Sequence, residues 1–189
     1  MKRRAALTLG LIMALGVSAC GVGTEDTAHE IPAPAGSSHG TFAPTGTGPY
    51  VETLYLVRDG SLVPVQRNTN RKPTAAMLIN DLVAGPTGAE AGTGLTSALL
   101  GTDVVAEADV INGVANVALA DTIQDTGRTD EIAALGQIVC TLTQVPGIFG
   151  VQFTRNEQTV KVPRADASLT IGPLTAVDYM TLVTVGPGN

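Results

Sequence analysis

The chain predicts an α+β fold, a single domain of order ββαββαββ, and three observations lead there. Asn112-Gly113, a dipeptide suited to a tight two-residue hairpin, separates two segments of alternating apolar and polar residues. Asp59-Gly60 marks a second hairpin near the start of the folded part. Two longer segments repeat their apolar residues at helical spacing instead. The expected architecture is a mainly antiparallel sheet with two helices packed on one face.

The elements follow in order. Residues 51–57 are β-branched and aromatic, and Leu62-Val63-Pro64-Val65-Gln66-Arg67 returns after the turn. Pro64 cannot donate to a ladder, which places it at a sheet edge or beside a bulge. Thr74 caps a helix reaching Ala84, with Met77, Leu78 and Leu82 on its buried face and Gly85-Pro86 ending it. A loose Gly/Thr passage follows and is read as a mobile rim over residues 85–94. In the central hairpin Val104, Ala106, Ala108 and Val110 are expected inward, with Glu107 and Asp109 outward. Ile132, Leu135, Ile138, Val139 and Leu142 form the stripe of a second helix, stopped by Pro146-Gly147. Val151 and Phe153 mark a strand, Asn156-Glu157 a turn, and Val160 and Val162 a final strand. Thr175 starts a short helix anchored by Tyr179 and Leu182, with Asp178 an imperfect replacement for glutamate in a capping box.

Ahead of the domain, Lys2, Arg3 and Arg4 precede an almost purely apolar run over residues 5–17, and Ser18-Ala19-Cys20 closes it. A cationic start, a short apolar core and small residues before a cysteine make a lipoprotein signal peptide. The run falls short of the roughly twenty residues a spanning helix needs. The Cys20 thiol would take a diacylglyceryl group carrying palmitate-type chains, and the mature chain would begin at that cysteine. Each buried methylene then contributes about 0.8 kcal/mol. The expected division is 1–19 signal peptide, 20–49 lipidated cysteine and flexible Pro/Gly/Thr linker, 50–163 folded domain, and 164–189 a C-terminal extension. As a flexible coil the linker would span on the order of 30 Å. The expected location is the outer face of the cytoplasmic membrane.

Composition narrows the partners. The formal charge is −6, and removal of the three N-terminal cations leaves the remainder more acidic still. That excess argues against nucleic acid. Aromatic residues make up 3 % of the chain and tryptophan is absent, which disfavours ligands held by ring stacking. With Cys20 lipidated, Cys140 is left as a lone thiol in an apolar helix, where it acts as a small hydrophobe.

Set in order, these segments resemble the GerMN domain, the sporulation and spore germination domain. The resemblance is carried by Thr53-Leu54-Tyr55-Leu56-Val57 with Asp59-Gly60, Leu78-Ile79-Asn80-Asp81-Leu82-Val83-Ala84-Gly85-Pro86-Thr87, and Asn112-Gly113-Val114-Ala115-Asn116-Val117-Ala118-Leu119. Gln137-Ile138-Val139-Cys140-Thr141-Leu142-Thr143 and Pro146-Gly147-Ile148-Phe149-Gly150-Val151-Gln152-Phe153 complete it, over roughly residues 50–163. The family implies a fold like the ring-building modules of secretion and sporulation assemblies, and a place among envelope lipoproteins. It supplies no catalytic residue.

The residues themselves point away from catalysis. His29 and His39 both lie in the linker, so the folded part has no imidazole for base catalysis or a metal. Ser61, Ser97 and Ser168 occupy no nucleophile-elbow setting, and only Lys72 or Lys161 could activate one of them. Asp121, Asp125, Asp130 and Glu131 cluster at a helix start, where the macrodipole favours acids, and their spacing does not match a calcium loop. No cofactor and no metal are expected. The leading expectation is a non-enzymatic protein-interaction or scaffold module that binds an envelope protein or itself through a strand edge near residues 63–66 or a helix face. The alternative is a binding protein for a small envelope ligand such as a lipid, peptide or wall fragment. A hydrolase using Asp121, Asp125 and Glu131 ranks last.

Overall fold

The computed structural model describes residues 44–103, 105–120 and 128–184, which belong to the compact unit Ser37–Asn189. The first ladder pairs β2 (Tyr50–Arg58) with β3 (Ser61–Thr69) in an antiparallel hairpin. Asp59 and Gly60 both take positive φ, 51° and 75°, the geometry of a turn whose twist matches its strands. A two-residue strand, β1 (Thr45–Gly46), lies parallel to the far end of β3. It falls inside the segment read as linker, so ordered chain begins before Tyr50.

Helix α1 (Ala75–Ala84) starts where expected, the Thr74 hydroxyl accepting from the Met77 amide at 3.3 Å. It ends at Gly85, whose φ of +79° would strain any other residue and whose N–H donates to the Asp81 carbonyl. The passage read as a mobile rim is instead tied down. Thr87-Gly88-Ala89-Glu90 closes a capping box and opens a one-turn helix, α2 (Gly88–Ala91).

The second ladder holds β4 (Val105–Ile111), β5 (Val114–Leu119), β6 (Gly150–Arg155) and β7 (Gln158–Thr159), in that spatial order. Asn112 and Gly113 turn the β4–β5 hairpin with φ of 51° and 79°. Helix α3 (Arg128–Leu142) then carries the chain back to the starting end, so β6 runs parallel to β5. Val110 pairs with buried Ala115 and so shares its face, yet it is 47 % exposed. It sits at the hairpin tip of the ladder's outermost strand, and a bulge between Val105 and Glu107 shifts the register further down.

A mainly antiparallel sheet was expected, and the α+β domain is built that way; its strands are divided among three ladders, two of them with a parallel pair. The reason lies at the free edge of β2. Val57 exchanges two main-chain bonds with Thr96, while Tyr55 turns its N–H to the Thr141 hydroxyl (2.9 Å) and its carbonyl to the Gln137 amide (2.8 Å). Side chains of α3 thus occupy the positions a further strand would need. On the other edge, Pro64 sits between the short β1 contact and a bond from the Thr184 amide to the Leu62 carbonyl. The residue without a donor therefore occupies an edge position, as its chemistry requires.

The expected final strand is broken. β7 ends at Thr159, and Val162 instead joins β8 (Val162–Pro163), which pairs with β9 (Leu169–Thr170). A 3-10 helix, Ala176–Leu182, follows. Asp178 serves its cap despite its shorter side chain, one carboxylate oxygen accepting from the Thr175 amide (2.8 Å) and hydroxyl (3.2 Å). Tyr179 is fully buried and its hydroxyl donates to the Pro163 carbonyl at 2.6 Å. Gly136 on α3 makes room for that ring, since a Cβ there would meet Tyr179 and Leu62 at 3.0 Å. The core joins Leu54, Leu56 and Val65 to Leu135, Ile138, Val139 and Leu142 of α3 and to Val117, Val151 and Phe153 of the second ladder.

Candidate functional site

Charge distinguishes one end of this core. Glu52 lies on the inward face of β2, in line with Leu54 and Leu56, and stands directly across from Arg67 of β3. The Arg67 guanidinium binds Glu90 through two bonds, Nε to Oε1 at 3.0 Å and Nη2 to Oε2 at 2.6 Å, and Nη2 also donates to the Gly85 carbonyl at 3.1 Å. The Thr87 amide donates to the same Glu90 carboxylate at 2.7 Å. One arginine therefore pins α2 to the sheet and to the end of α1. Fork-to-fork geometry makes this a strong, direction-specific contact.

Glu52 has no such partner. Its residue is 4 % exposed, and its buried Oε2 forms no hydrogen bond. Burial first, and the negative charge of Asp81 second, push the Glu52 carboxyl above its ordinary range, against the pull of Arg67. Burial likewise raises Asp81, opposed by Arg67 and Arg71. Glu90 goes the other way: burial alone would raise it, but the bonds from Arg67 and Thr87 and the Arg67 charge hold it below the usual value.

These opposite directions set an expected pH profile. A carboxylate depressed in the folded state stabilises the fold above its unfolded value and loses that stabilisation as pH falls through its folded value. For a raised carboxylate the folded state binds protons first, so stability grows as pH falls towards the ordinary value. Thermal stability should thus rise on mild acidification as Glu52 and Asp81 take up protons, then fall once Glu90 is protonated. Glu52→Gln should flatten the rising limb and be at least as stable as the parent at neutral pH. Calorimetry across the acid range checks this; parallel profiles for parent and variant would remove Glu52 from the explanation.

Two cavities adjoin the charged end and the opposite end of α3. The first, about 180 Å³, is lined by Val51, Glu52, Lys72, Leu78, Gln144 and Val145 among others. The second, about 380 Å³, is lined by Val57, Thr96, Ala98, Asp130, Ile132 and Leu182 among others. Between them runs the buried amide of Gln137, which accepts from the Ala98 amide at 2.7 Å and donates to the Tyr55 carbonyl and to Ser97 Oγ at 2.8 and 3.3 Å. The Ser97 hydroxyl in turn donates to the Leu82 carbonyl at 2.7 Å.

The residues singled out from sequence are dispersed. Cys20, His29, His39, Asp121 and Asp125 lie outside the described residues. Asp130 and Glu131 stand in the first turn of α3. Among the described residues no group of three or more histidine, cysteine or carboxylate side chains is arranged to hold a metal. Cys140 is buried without exposure, and burial pushes its thiol up to about 12, well away from reactive thiolate. Ser97 is committed, donating to the Leu82 carbonyl and accepting from the Leu99 amide, and Ser168 bonds Asp166 in an exposed turn at 2.6 Å. Sequence reasoning missed Glu52, Arg67 and Glu90. Thr87-x-x-Glu90 was a readable capping signal, but nothing local could bring Arg67 to it.

A mixed α+β domain with a buried ion pair, two modest cavities and dispersed nucleophiles is the class of protein these features define. Residues 42–161 match the Germane family, described as sporulation and spore germination, and the chain belongs to that family. The matched segment takes in β1 and all but the last two residues of the expected domain, 50–163. Among solved structures, the tandem GerMN domains of the sporulation protein GerM from Bacillus subtilis share 18 % identity and a TM-score of 0.51, covering 76 % of this chain and 52 % of that one. The chain thus spans about half the length of that tandem structure, and the likeness is one of fold. The first GerMN domain of the same protein matches at 16 % identity over 68 % of this chain and 96 % of that one, with a TM-score of 0.48. A candidate lipoprotein from Clostridium perfringens matches at 20 % identity over 76 % and 99 %, with a TM-score of 0.45. No curated protein matches the sequence. Among the described residues no helix is long and apolar enough to cross a membrane.

Proposed function

We propose that the chain is a non-catalytic interaction module of the cell envelope, moored by lipid on Cys20 at the outer face of the cytoplasmic membrane and binding an envelope protein or a second copy of itself. The mooring rests on residues 1–20 alone: three cations, an apolar run and Ser18-Ala19 before the cysteine. The interaction reading rests on one observation, the exposed aromatic ring of Phe149.

Phe149 is 75 % exposed, yet it is fixed in place. Its amide donates to the Gly113 carbonyl at 2.7 Å, and its ring lies so close to Gly113 that a Cβ there would approach it to 2.6 Å. Ile111, 60 % exposed, lies two residues before that glycine on β4, the outer strand of its ladder. An exposed aromatic held against the backbone loses little entropy on docking, a usual property of a binding hot spot. It also supplies a more open contact than the strand edge near residues 63–66, which is hemmed in by β1 and residue 184.

Phe149→Ala is expected to weaken capture of the partner by about 2 kcal/mol or more, roughly thirtyfold, without changing the fold. Crosslinking and co-purification from detergent-extracted membranes, comparing parent and variant, provide the measurement. Identical recovery of every crosslinked species would sink the interaction reading. Labelling with radioactive palmitate tests the mooring separately: parent labelled and Cys20→Ser unlabelled is the expected pair, and an unlabelled parent rejects it.

A further inference from the structure

The outer edge of β2 is closed along only part of its length. In the β2–β3 hairpin the main-chain groups of Arg58, Leu56, Leu54 and Glu52 turn to β3, and those of Val57, Tyr55, Thr53 and Val51 turn away. Thr96 meets Val57, and Thr141 and Gln137 of α3 meet Tyr55. Gln137 and Thr141 lie four residues apart on one helical row, and the next position in that row is residue 145. The helix ends at Leu142 before reaching it, and the Gln144 and Val145 amides fold back on the Thr141 and Leu142 carbonyls. Among the described residues no strand pairs with Val51 or Thr53 on this side. A groove opens where the helix stops. Val51 and Thr53 line a cavity of about 180 Å³, walled by Pro73 and Leu78 and by Val145 and Pro146, with Lys72 also in its lining.

We propose that this groove binds an extended peptide segment that adds to β2 at Val51 and Thr53, with one aliphatic side chain in the cavity and an acidic residue beside Lys72. The open edge selects the backbone. Only a strand offers alternating N–H and C=O groups at the spacing of those on Val51 and Thr53, and such bonds hold an added strand while a pocket beside them reads one of its side chains. Volume selects that side chain. An apolar cavity of about 150 Å³ takes up benzene, so about 180 Å³ accommodates leucine or phenylalanine. Charge selects its neighbour. Lys72 is exposed whereas Glu52 is 4 % exposed, so the charge a ligand meets in this lining is the cation. The cavity lining includes no part of the Phe149 surface, and either reading can fail without the other.

The test is an amide chemical-shift titration of the full-length chain in mild detergent at neutral pH, with acetyl-Asp-Val-Leu-Val-Asp-amide at millimolar concentrations. Expected are shifts at residues 51–53, 72 and 144–145, and slowed hydrogen exchange at the Val51 and Thr53 amides. Alternate N–H groups of a strand face opposite edges, so methylating the leucine nitrogen and methylating both valine nitrogens should differ, one abolishing binding and the other sparing it. Alanine in place of the leucine should weaken binding about tenfold or more. Lysine in place of both aspartates should weaken it about threefold, and Lys72→Glu, at an exposed position, should reverse that preference. The proposal is overturned if the peptide shifts none of these residues, if the two methylated peptides bind alike, if alanine replaces leucine without loss, or if Lys72→Glu keeps the parent's preference. It is also overturned if the chain without peptide dimerises with Val51 and Thr53 protected, because a second copy is then the occupant.

Discussion

Gln137→Leu is expected to destabilise the fold by about 2–4 kcal/mol although leucine nearly matches glutamine in volume. The amide is fully buried and holds three otherwise separate segments, β2 through the Tyr55 carbonyl, the 96–98 passage through the Ala98 amide, and α1 through Ser97 and the Leu82 carbonyl. Leucine leaves a buried donor and a buried acceptor unmade, each costing about 1–3 kcal/mol. The assignment of its two ends follows from those partners, because a main-chain amide needs the oxygen and a main-chain carbonyl needs the nitrogen. Thr141→Val is the graded control. It removes only the acceptor for the Tyr55 amide and should cost about 1–2 kcal/mol. Urea denaturation measures both, and hydrogen exchange at Ala98 reports the local opening. A Gln137→Leu chain as stable as the parent, with Ala98 still protected, would show that the network adds nothing.

Arg67→Met should cost about 3–5 kcal/mol at neutral pH, the penalty for leaving one half of a buried ion pair alone. Both partners are shielded, with side-chain exposures of 12 % for Arg67 and 5 % for Glu90. Loss of the guanidinium also leaves Glu52 and Asp81 without their nearest favourable charge and frees the Gly85 carbonyl. The effect depends on pH in a calculable direction. Glu90, held below its ordinary value by Arg67, would rise in the variant, so the variant should recover part of its deficit in acid, where all three carboxylates are protonated. Adding Glu90→Gln to Arg67→Met should restore part of the loss at neutral pH, since a buried pair replaced at both ends is far less costly than one broken. If Arg67→Met alone lies within about 1 kcal/mol of the parent, the cluster is solvated and its burial is not what shapes this end of the core.

Both residues were invisible to sequence reasoning for the same reason. Gln137 reaches Tyr55 across 82 residues and Ala98 across 39, and Arg67 reaches Glu90 across 23. No periodicity or spacing encodes such pairs. The capping box at Thr87–Glu90 was readable in principle, but a run of glycine and threonine around it signalled a loose loop and concealed one helical turn. The division of the strands into separate ladders was hidden for a related reason. Strand pattern states which residues prefer a pleated surface, not which edges meet, and the edge of β2 at Tyr55 is covered by Gln137 and Thr141, helix side chains outside the apolar stripe.

What residues decide within a few positions of themselves was legible. Asp59-Gly60 and Asn112-Gly113 turn their hairpins because they tolerate positive φ, Thr74 and Gly85 bound α1, and Pro64 finds an edge because it lacks a donor. The stripe through Leu135, Ile138, Val139 and Leu142 faced the core because helical spacing puts those side chains on one side. Charge, the scarcity of aromatics and the run ending at Cys20 likewise needed only the order of residues. Three-dimensional packing alone decided that the strands form separate ladders, that Glu52 is buried with an oxygen unmade, and that Phe149 stands exposed on Gly113. Backbone torsions and caps are local energies. Burial, pairing and unmet hydrogen bonds arise only when distant segments compete for the same space.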